Sequence, residues 1–233
     1  MTIKILKTSP RFVFLSNDKV YKFFNSGHEC SQEIKLIRNS PLLELYDEEN
    51  KYKMKFIKIL ETSENFYTME LIKGDSININ NNLEDFRFAG IWLSHFHKLT
   101  YDTKNKKVFI FGDFVPDHLF IDHEHKEICT LDPGHLFGTK DIIEIDIANF
   151  FVDLMFNKNF KIIKLYKILR SFLHGYGLNK VDSSILEKNI KLRILNKSKQ
   201  IINLSNRYFI AYFFFLYANI KYFLIRKKLN KMN

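Results

Sequence analysis

The chain has 233 residues, of which 46% are hydrophobic, and a formal net charge of +10. A chain of this length is able to bury a substantial core. Its two cysteines, Cys30 and Cys129, lie far apart in apolar contexts, which argues against a disulfide framework and predicts a cytoplasmic protein. The first residues contain no apolar run long enough for a signal peptide.

The N-terminal residues predict a β-hairpin followed by a helix. The predicted elements are a strand over 11–15, a turn over 16–18, a strand over 19–24 and a helix over 28–39. Lys22 stands between Tyr21 and Phe23, as expected of a lysine that points inward from a buried strand. The helix carries Glu33, with Glu29 one turn earlier on the same face.

Two strands and a long helix are predicted next. The strands cover 55–60 and 66–72, and the helix covers 83–99, where apolar residues recur at helical spacing. His95 and His97 lie near the end of this helix, but a spacing of two points them to different faces. We therefore expect both histidines to be structural rather than ligands of one metal ion.

Residues 108–151 contain three aspartates in three different contexts. Asp113 follows a β-rich apolar run and a glycine, Asp132 follows a second such run and precedes Pro-Gly, and Asp146 lies in an amphipathic segment. A hairpin with a charged turn at 122–127 is able to bring Asp113 and Asp132 together. This arrangement favours a metal-assisted transfer in which one carboxylate handles a hydroxyl and the other holds Mg²⁺.

The segment resembles the catalytic core of kinase-fold small-molecule phosphotransferases, the group that includes aminoglycoside, choline and lipopolysaccharide-core sugar kinases. The matching pieces, in order, are Phe111-Gly112-Asp113 with His118 five residues on, Thr130-Leu131-Asp132, and Ile145-Asp146-Ile147-Ala148. The resemblance implies that Asp113 accepts or orients the acceptor hydroxyl, that Asp132 binds Mg²⁺ on the phosphates of ATP, and that Asp146 braces the catalytic loop.

The resemblance also implies a nucleotide site in the N-terminal part. A strand lysine of the family contacts the α- and β-phosphates and is held by a helix glutamate, and Lys22 and Glu33 are the candidates, with Glu29 as a rival for the second role. The hairpin turn has no glycine, so Ser16 and Asn17 would supply the donors to the phosphates. The segment Glu70-Leu71-Ile72 resembles the hinge, whose backbone would contact adenine.

Two positions depart from the family pattern. Phe111 stands where the family has histidine, a supporting position in which a buried phenyl ring is tolerated. His118 stands where the family has a metal-binding asparagine, and imidazole is a poor ligand for Mg²⁺. Four outcomes follow: Asp117 replaces it, one metal suffices, His118 contacts a phosphate or the acceptor, or catalysis is impaired.

The C-terminal third is strongly basic. Residues 154–233 hold 17 Lys and Arg against 2 acids, whereas residues 1–153 carry a net charge of −5. A basic helical face from Lys158 to Arg170 would attract a phosphate-bearing ligand or an anionic membrane surface, or is simply solvated. Residues 208–225 are apolar and aromatic; we expect a helix packed on the C-terminal lobe rather than a membrane span. Nucleic acid is not expected as a partner.

These observations predict an α+β, two-lobed protein-kinase-like fold with a small antiparallel-sheet N-lobe and a mainly helical C-lobe. Residues 1–74 would form the nucleotide-binding N-lobe, and residues 75–233 the C-lobe with the catalytic loop and metal site. The predicted function is ATP- and Mg²⁺-dependent phosphorylation of a hydroxyl on a small-molecule, glycan or glycolipid acceptor, with a sugar of a surface polysaccharide or lipopolysaccharide core as first choice. The alternative is a catalytically impaired kinase-like protein that binds nucleotide or a partner.

Overall fold

The computed structural model describes residues 4–7, 12–38, 45–47, 51–78, 81–131, 139–156, 162–205, 218 and 222–223. Contacts divide the chain into two compact units, one of Met1–Ser76 with Leu119–Pro133 and one of Ile77–His118 with Gly134–Asn233. The predicted α+β fold, with sheets in the first unit and helices dominating the second, is confirmed. The predicted lobe boundary after residue 74 stays a prediction.

The described residues of the first unit form two five-stranded sheets and one helix. The first sheet is antiparallel in the order β1 (Lys4–Lys7), β2 (Val13–Ser16), β3 (Lys19–Phe23), β7 (Phe66–Glu70) and β6 (Ile59–Thr62). Helix α1 (Gly27–Arg38) follows β3 and packs on β6 and β7. The predicted hairpin and helix are thus confirmed, with ends that differ by one or two residues.

The second sheet of this unit is mixed rather than antiparallel. Its order is β4 (Leu45–Asp47), β5 (Tyr52–Phe56), β11 (Glu127–Thr130), β10 (Leu119–Asp122) and β8 (Asp75–Ser76), and β11 pairs with β5 in parallel. The single strand predicted over 55–60 is wrong, because the chain leaves this sheet after Phe56 and enters the first sheet at Ile59. Consecutive burial of Phe56 and Ile57 breaks the alternation of a single strand at this point.

Within its described residues, the second unit is built on four α-helices and a short strand pair. The helices are α2 (Leu83–Leu99), α3 (Glu144–Phe156), α4 (Ile162–Tyr176) and α5 (Ser183–Ser205), and the strands are β9 (Val108–Phe109) and β12 (Lys140–Asp141). Helix α2 has the predicted bounds. Its N-cap Asn82 accepts a hydrogen bond from the backbone N–H of Asp85, which satisfies one of the free donors of the first turn.

Glycines bring α2 and α4 into close contact. A Cβ atom on Gly90 would lie 2.1 Å from the carbonyl oxygen of Phe172, and one on Gly175 would lie 2.0 Å from that of Arg87. Both positions therefore require glycine because the facing backbone leaves no space for a side chain. Helix α3 packs on α5, and the core between the helices is rich in buried aromatic rings, among them Trp92, Phe96, Phe114, Phe150 and Phe172.

Candidate active site

The loop that carries Asp113 is held by the buried carboxylate of Asp146. The Oδ2 and Oδ1 atoms of Asp146 accept hydrogen bonds from the backbone N–H groups of Phe111 at 2.7 Å and Gly112 at 2.8 Å. Asn149, one turn later on α3, donates its side-chain N–H to the carbonyl oxygen of Gly112 at 2.8 Å. The predicted bracing contact of Asp146 is confirmed, and it holds the two residues that directly precede Asp113.

Asp146 belongs to a buried chain of three side chains. Its Oδ2 atom lies 3.1 Å from Nε2 of His97, whose Nδ1 lies 2.8 Å from the hydroxyl of Tyr176. Burial raises the pKa of Tyr176, with the nearby carboxylates adding to the effect. A carboxylate only accepts, and a neutral imidazole has one donor and one acceptor nitrogen, so the hydroxyl of Tyr176 donates to Nδ1. Nε2 then donates to Asp146. The expected structural role of His97 is confirmed, and the chain connects the end of α4 to the loop.

The phenyl ring of Phe111 fills the position where the family has histidine. The ring is fully buried and contacts Trp92, Phe96 and Phe114 edge-on, with centroid distances between 5.6 and 5.9 Å. Such edge-to-face contacts are favourable for aromatic rings. The tolerance predicted for this substitution is consistent with the packing.

Asp113 lies on the loop at the end of β9, as predicted, and its side chain is 42% exposed. The Nδ1 atom of His118 lies 3.1 Å from the carbonyl oxygen of Asp113 and 3.7 Å from its Oδ2. A guanidinium N–H nitrogen of Arg193, on α5, lies 4.0 Å from Oδ1 of Asp113. A cation and an imidazole therefore flank the candidate catalytic carboxylate.

Three further charged groups lie beside this loop. Lys197, one turn after Arg193 on α5, forms an ion pair with Asp153 on α3 and lies 5.5 Å from the ring centroid of Phe156. The carboxyl of Asp117 has a raised pKa because it is partly desolvated and because the Asp153 carboxylate is near. The packing of α5 on α3 thus brings a basic helix face to the loop that carries Asp113.

In the first unit, Lys22 and Glu33 form a buried ion pair. The Nζ atom of Lys22 lies 2.7 Å from Oε1 of Glu33, and the two side chains are only 4% and 9% exposed. The hydroxyl of Tyr67 donates to the same Oε1 at 2.7 Å. Lys22 also lies 5.8 and 5.9 Å from the ring centroids of Phe24 and Tyr67. The predicted pairing is present, whereas the contact of Lys22 with phosphates stays a prediction; Glu29, the rival, is exposed.

The β2–β3 turn closes without glycine. Asn17 and Asp18 have φ values of 50° and 59°, and these two residue types tolerate the left-handed region better than other non-glycine residues. Ser16 is buried, and its hydroxyl makes no hydrogen bond within the described part of the chain. The roles of Ser16 and Asn17 as phosphate donors stay predictions.

The segment Glu70–Ile72 lines a cavity of about 260 Å³ in the first unit. Lys55 and Glu127 form a partly exposed ion pair at 2.6 Å in its wall. The thiol of Cys129 also lines the cavity, and burial raises its pKa. Both cysteines of the chain are free and buried. Adenine contacts through the backbone of Glu70, Leu71 and Ile72 stay predictions.

Some predicted features lie outside the described residues. These are Asp132, the basic positions 158 and 161, and almost all of the apolar segment 208–225. Within the ranges that are described, no group of three His, Cys, Asp or Glu side chains is placed to hold a metal ion. In the same ranges, no helix combines the length and apolarity needed to cross a membrane.

Sequence reasoning missed Arg193, Asn149 and Tyr67. Asn149 follows Asp146 by three residues on one helix face, a spacing that could have indicated a joint role. Tyr67 is the cross-strand partner of Lys22, which becomes visible only once the register of the sheet is known. Arg193 is 80 positions from Asp113 in the chain, and no local signal connects the two.

No family model matches the chain, and no curated protein matches its sequence. The structure, in contrast, is similar to solved structures of small-molecule kinases. An amicoumacin kinase (hAmiN) in complex with AMP-PNP, Ca²⁺ and Ami aligns with a TM-score of 0.62 at 10% identity, over 94% of this chain and 88% of that chain.

Two further solved structures are similar over most of their length. The streptomycin–ATP–APH(2")-IIa ternary complex aligns with a TM-score of 0.57 at 15% identity, over 87% of this chain and 88% of that chain. A Plasmodium vivax ethanolamine kinase aligns with a TM-score of 0.55 at 10% identity, over 96% and 81%. The resemblance to kinase-fold small-molecule phosphotransferases is therefore confirmed at the level of the fold.

Proposed function

We propose that the protein is an ATP-dependent phosphotransferase that acts on a hydroxyl group of a small, non-protein acceptor. The observation that carries the proposal is the buried pair of Lys22 and Glu33. Removing two charges from water costs free energy that their attraction does not reliably recover, so stability alone is a weak reason for such a pair. A lysine held in place for the phosphates of a nucleotide is a functional reason.

The second unit supplies the group that handles the acceptor. Asp113 is half-exposed on a loop whose preceding backbone is held by Asp146 and Asn149, so its carboxylate is positioned before the acceptor arrives. In this role it orients the acceptor hydroxyl and takes its proton. Positioning of this kind is the main requirement of phosphoryl transfer, which needs little covalent chemistry from the protein.

Mg²⁺ is part of the proposal. Of the two predicted ligands, the carboxylate of Asp132 offers the hard oxygen that Mg²⁺ prefers, whereas the imidazole of His118 does not. His118 instead lies with Nδ1 against the carbonyl oxygen of Asp113. Asp132 would therefore hold the ion, which neutralises charge on the phosphates when bound.

The acceptor is proposed to be a small molecule. Only thirteen residues separate Asp132 from Asp146, too few for the activation segment and peptide-docking elements of a protein kinase. The similar structures include an amicoumacin kinase, a streptomycin complex and an ethanolamine kinase, which supports a small molecule as the acceptor. A sugar of a surface polysaccharide or lipopolysaccharide core remains our choice within it.

The basic C-terminal part supports an encounter with an anionic membrane surface, where a glycolipid acceptor would be found. Lys167 and Arg170 are exposed on α4, and clustered cations attract anionic lipid. Co-sedimentation with vesicles of phosphatidylcholine, with and without phosphatidylglycerol, tests this part. Binding that is equal for the two compositions would remove it.

The test of the main proposal is ATP binding and slow ATP hydrolysis by the purified protein, with and without Mg²⁺. We expect Asp132→Ala to abolish Mg²⁺-dependent binding and Asp113→Asn to abolish turnover while nucleotide still binds. Asp141→Asn, a charge-matched change on β12, serves as control and should leave both unchanged. Absence of nucleotide binding in the wild-type protein would refute the proposal.

The second candidate is a catalytically impaired kinase-like protein. It is favoured by His118 in place of a metal-binding asparagine and by the glycine-free turn at Asn17 and Asp18. This candidate predicts ATP binding that needs no metal ion and a slow hydrolysis rate that is the same in wild type and in Asp113→Asn. The measurements above therefore separate the two functions.

A further inference from the structure

Arg193 is a cation with unused hydrogen-bonding capacity beside the candidate catalytic carboxylate. A guanidinium offers five N–H donors in a planar fork that matches phosphate and carboxylate groups. The contact of Arg193 with Asp113 is 4.0 Å long, which is too long for a hydrogen bond. Within the described residues it forms no hydrogen bond to a carboxylate, and its side chain is 26% exposed.

The neighbouring basic side chains of α5 are engaged differently. Lys197 is paired with Asp153, and Lys191 is paired with Glu187 on its own helix. Of these three cations of α5, Arg193 is the one next to Asp113. In the described part of the chain, its N–H groups donate no hydrogen bond to a carboxylate. Because Arg193 lies next to Asp113, an anionic group bound to its guanidinium and a hydroxyl bound to Asp113 are able to belong to the same small molecule.

The carboxylates around the loop are poorly suited to bind a cationic acceptor. Asp153 is already neutralised by Lys197. Asp117 has the positive charges of His118, when protonated, and Lys197 in its surroundings, so its carboxylate is already partly compensated. Asp113 itself has the cation of Arg193 beside it, which would repel an ammonium group.

We propose that Arg193 is a specificity-determining residue that binds an anionic group of the acceptor, a phosphate or a carboxylate, while the acceptor hydroxyl lies at Asp113. The acceptor class is accordingly a hydroxyl compound that already carries negative charge, such as a phosphorylated sugar or a sugar acid. Neutral sugars and aminoglycoside-like or amino-alcohol acceptors are disfavoured. This inference rests on the proposed phosphotransferase function and names its substrate class.

The test compares one hexose scaffold in four charge states. ATP-dependent ADP release is measured with glucose, glucosamine, glucuronate and glucose 6-phosphate, so that a neutral, a cationic, a carboxylate and a phosphate acceptor are matched. The variants are Arg193→Gln, Arg193→Lys and the control Lys191→Gln, which removes a cation of the same helix two residues away. Unchanged circular dichroism and melting temperature establish that each variant is folded.

We expect turnover to favour the anionic acceptors. Whether glucuronate or glucose 6-phosphate is phosphorylated faster shows which anionic group, carboxylate or phosphate, the site recognises. Arg193→Gln should raise KM for that acceptor about 10- to 100-fold, the loss typical of a charge-assisted hydrogen bond, with a smaller change in kcat. Arg193→Lys should recover part of the loss, and Lys191→Gln should match wild type. Preference for glucosamine or glucose, or an equal KM in wild type and Arg193→Gln, would overturn the inference while leaving the phosphotransferase function intact.

A second readout needs no turnover. Inorganic phosphate is titrated into each variant with saturating AMP-PNP and Mg²⁺ present, and the melting temperature is followed. A phosphate-dependent rise in wild type and Lys191→Gln that is lost in Arg193→Gln supports the anion site even if no hexose is phosphorylated. An identical response of wild type and Arg193→Gln counts against it. Loss of nucleotide binding, in contrast, would refute the proposed function and not the anion site.

Discussion

The bracing carboxylate of Asp146 gives the sharpest energetic prediction. The side chain is fully buried and accepts hydrogen bonds from two backbone N–H groups and from His97. Asp146→Ala leaves the two backbone donors buried without an acceptor, at about 1–3 kcal/mol each. We therefore expect a loss of about 2–6 kcal/mol, a large fraction of the roughly 5–15 kcal/mol that stabilises a typical domain.

Asp146→Asn preserves the shape and separates packing from hydrogen bonding. The amide oxygen accepts from one backbone N–H, but the amide NH₂ is a donor that faces the other, so about half the loss is expected, roughly 1–3 kcal/mol. The control is Asp153→Asn, which removes a carboxylate of the same helix whose ion pair is partly exposed and should cost about 0–1 kcal/mol.

The assay is urea unfolding followed by the fluorescence of Trp92, the single tryptophan of the chain. Its ring contacts Phe111 with a centroid distance of 5.8 Å, so it reports on the unit that contains the brace. If Asp146→Asn shifts the unfolding midpoint no more than Asp153→Asn does, the idea that Asp146 holds the catalytic loop is refuted.

Three further predictions concern other parts of the molecule. Lys22→Met leaves the buried carboxylate of Glu33 without its cation, so we expect the free energy of unfolding in urea to fall by about 3–5 kcal/mol and ATP binding measured by calorimetry to weaken. Tyr67→Phe removes one hydrogen bond to the same carboxylate and should cost about 1 kcal/mol. Gly90→Ala places a Cβ atom 2.1 Å from a carbonyl oxygen of α4 and should lower the melting temperature clearly more than Gly27→Ala, whose Cβ atom would first meet a flexible side chain at 3.0 Å; equal melting temperatures would contradict the close helix contact. The hydrogen bond from Lys140 lowers the pKa of Asp102 below its usual 3.8, so the stabilising contribution of Asp102 is full above that value and is lost as the pH falls further. Asp102→Asn should therefore flatten the fall in unfolding free energy between about pH 4 and pH 2, and an unchanged slope would exclude this role.

The elements that were predictable are those set by local pattern. The periodicity of apolar residues is sufficient to predict the bounds of α2. The two apolar runs around a polar turn are sufficient to predict the β2–β3 hairpin. The Lys22–Glu33 pair was indicated by the resemblance to the phosphotransferase family, with Glu29 as a rival, and its members lie 11 residues apart on a strand and on the helix that follows it. Short loops leave few ways to arrange two such elements.

The features that were not predictable depend on pairings between distant segments. The chain crosses from one sheet to the other near Ile57 because β5 pairs in parallel with β11, more than 70 positions later. Nothing local to 55–60 reports that partner, so a single strand was the natural expectation. The approach of Arg193 to Asp113 is of the same kind, since it depends on the packing of α5 against α3.

The histidine at position 118 has a structural role in the loop that carries Asp113. A carbonyl oxygen only accepts hydrogen bonds, so in the contact with Asp113 the Nδ1 atom of His118 must be the donor. His118 therefore fixes the backbone of Asp113 from the C-terminal side, while Asp146 fixes the two residues on its N-terminal side. The contact gives His118 a role as a support for the backbone of Asp113, and metal binding by Asp132 stays a prediction.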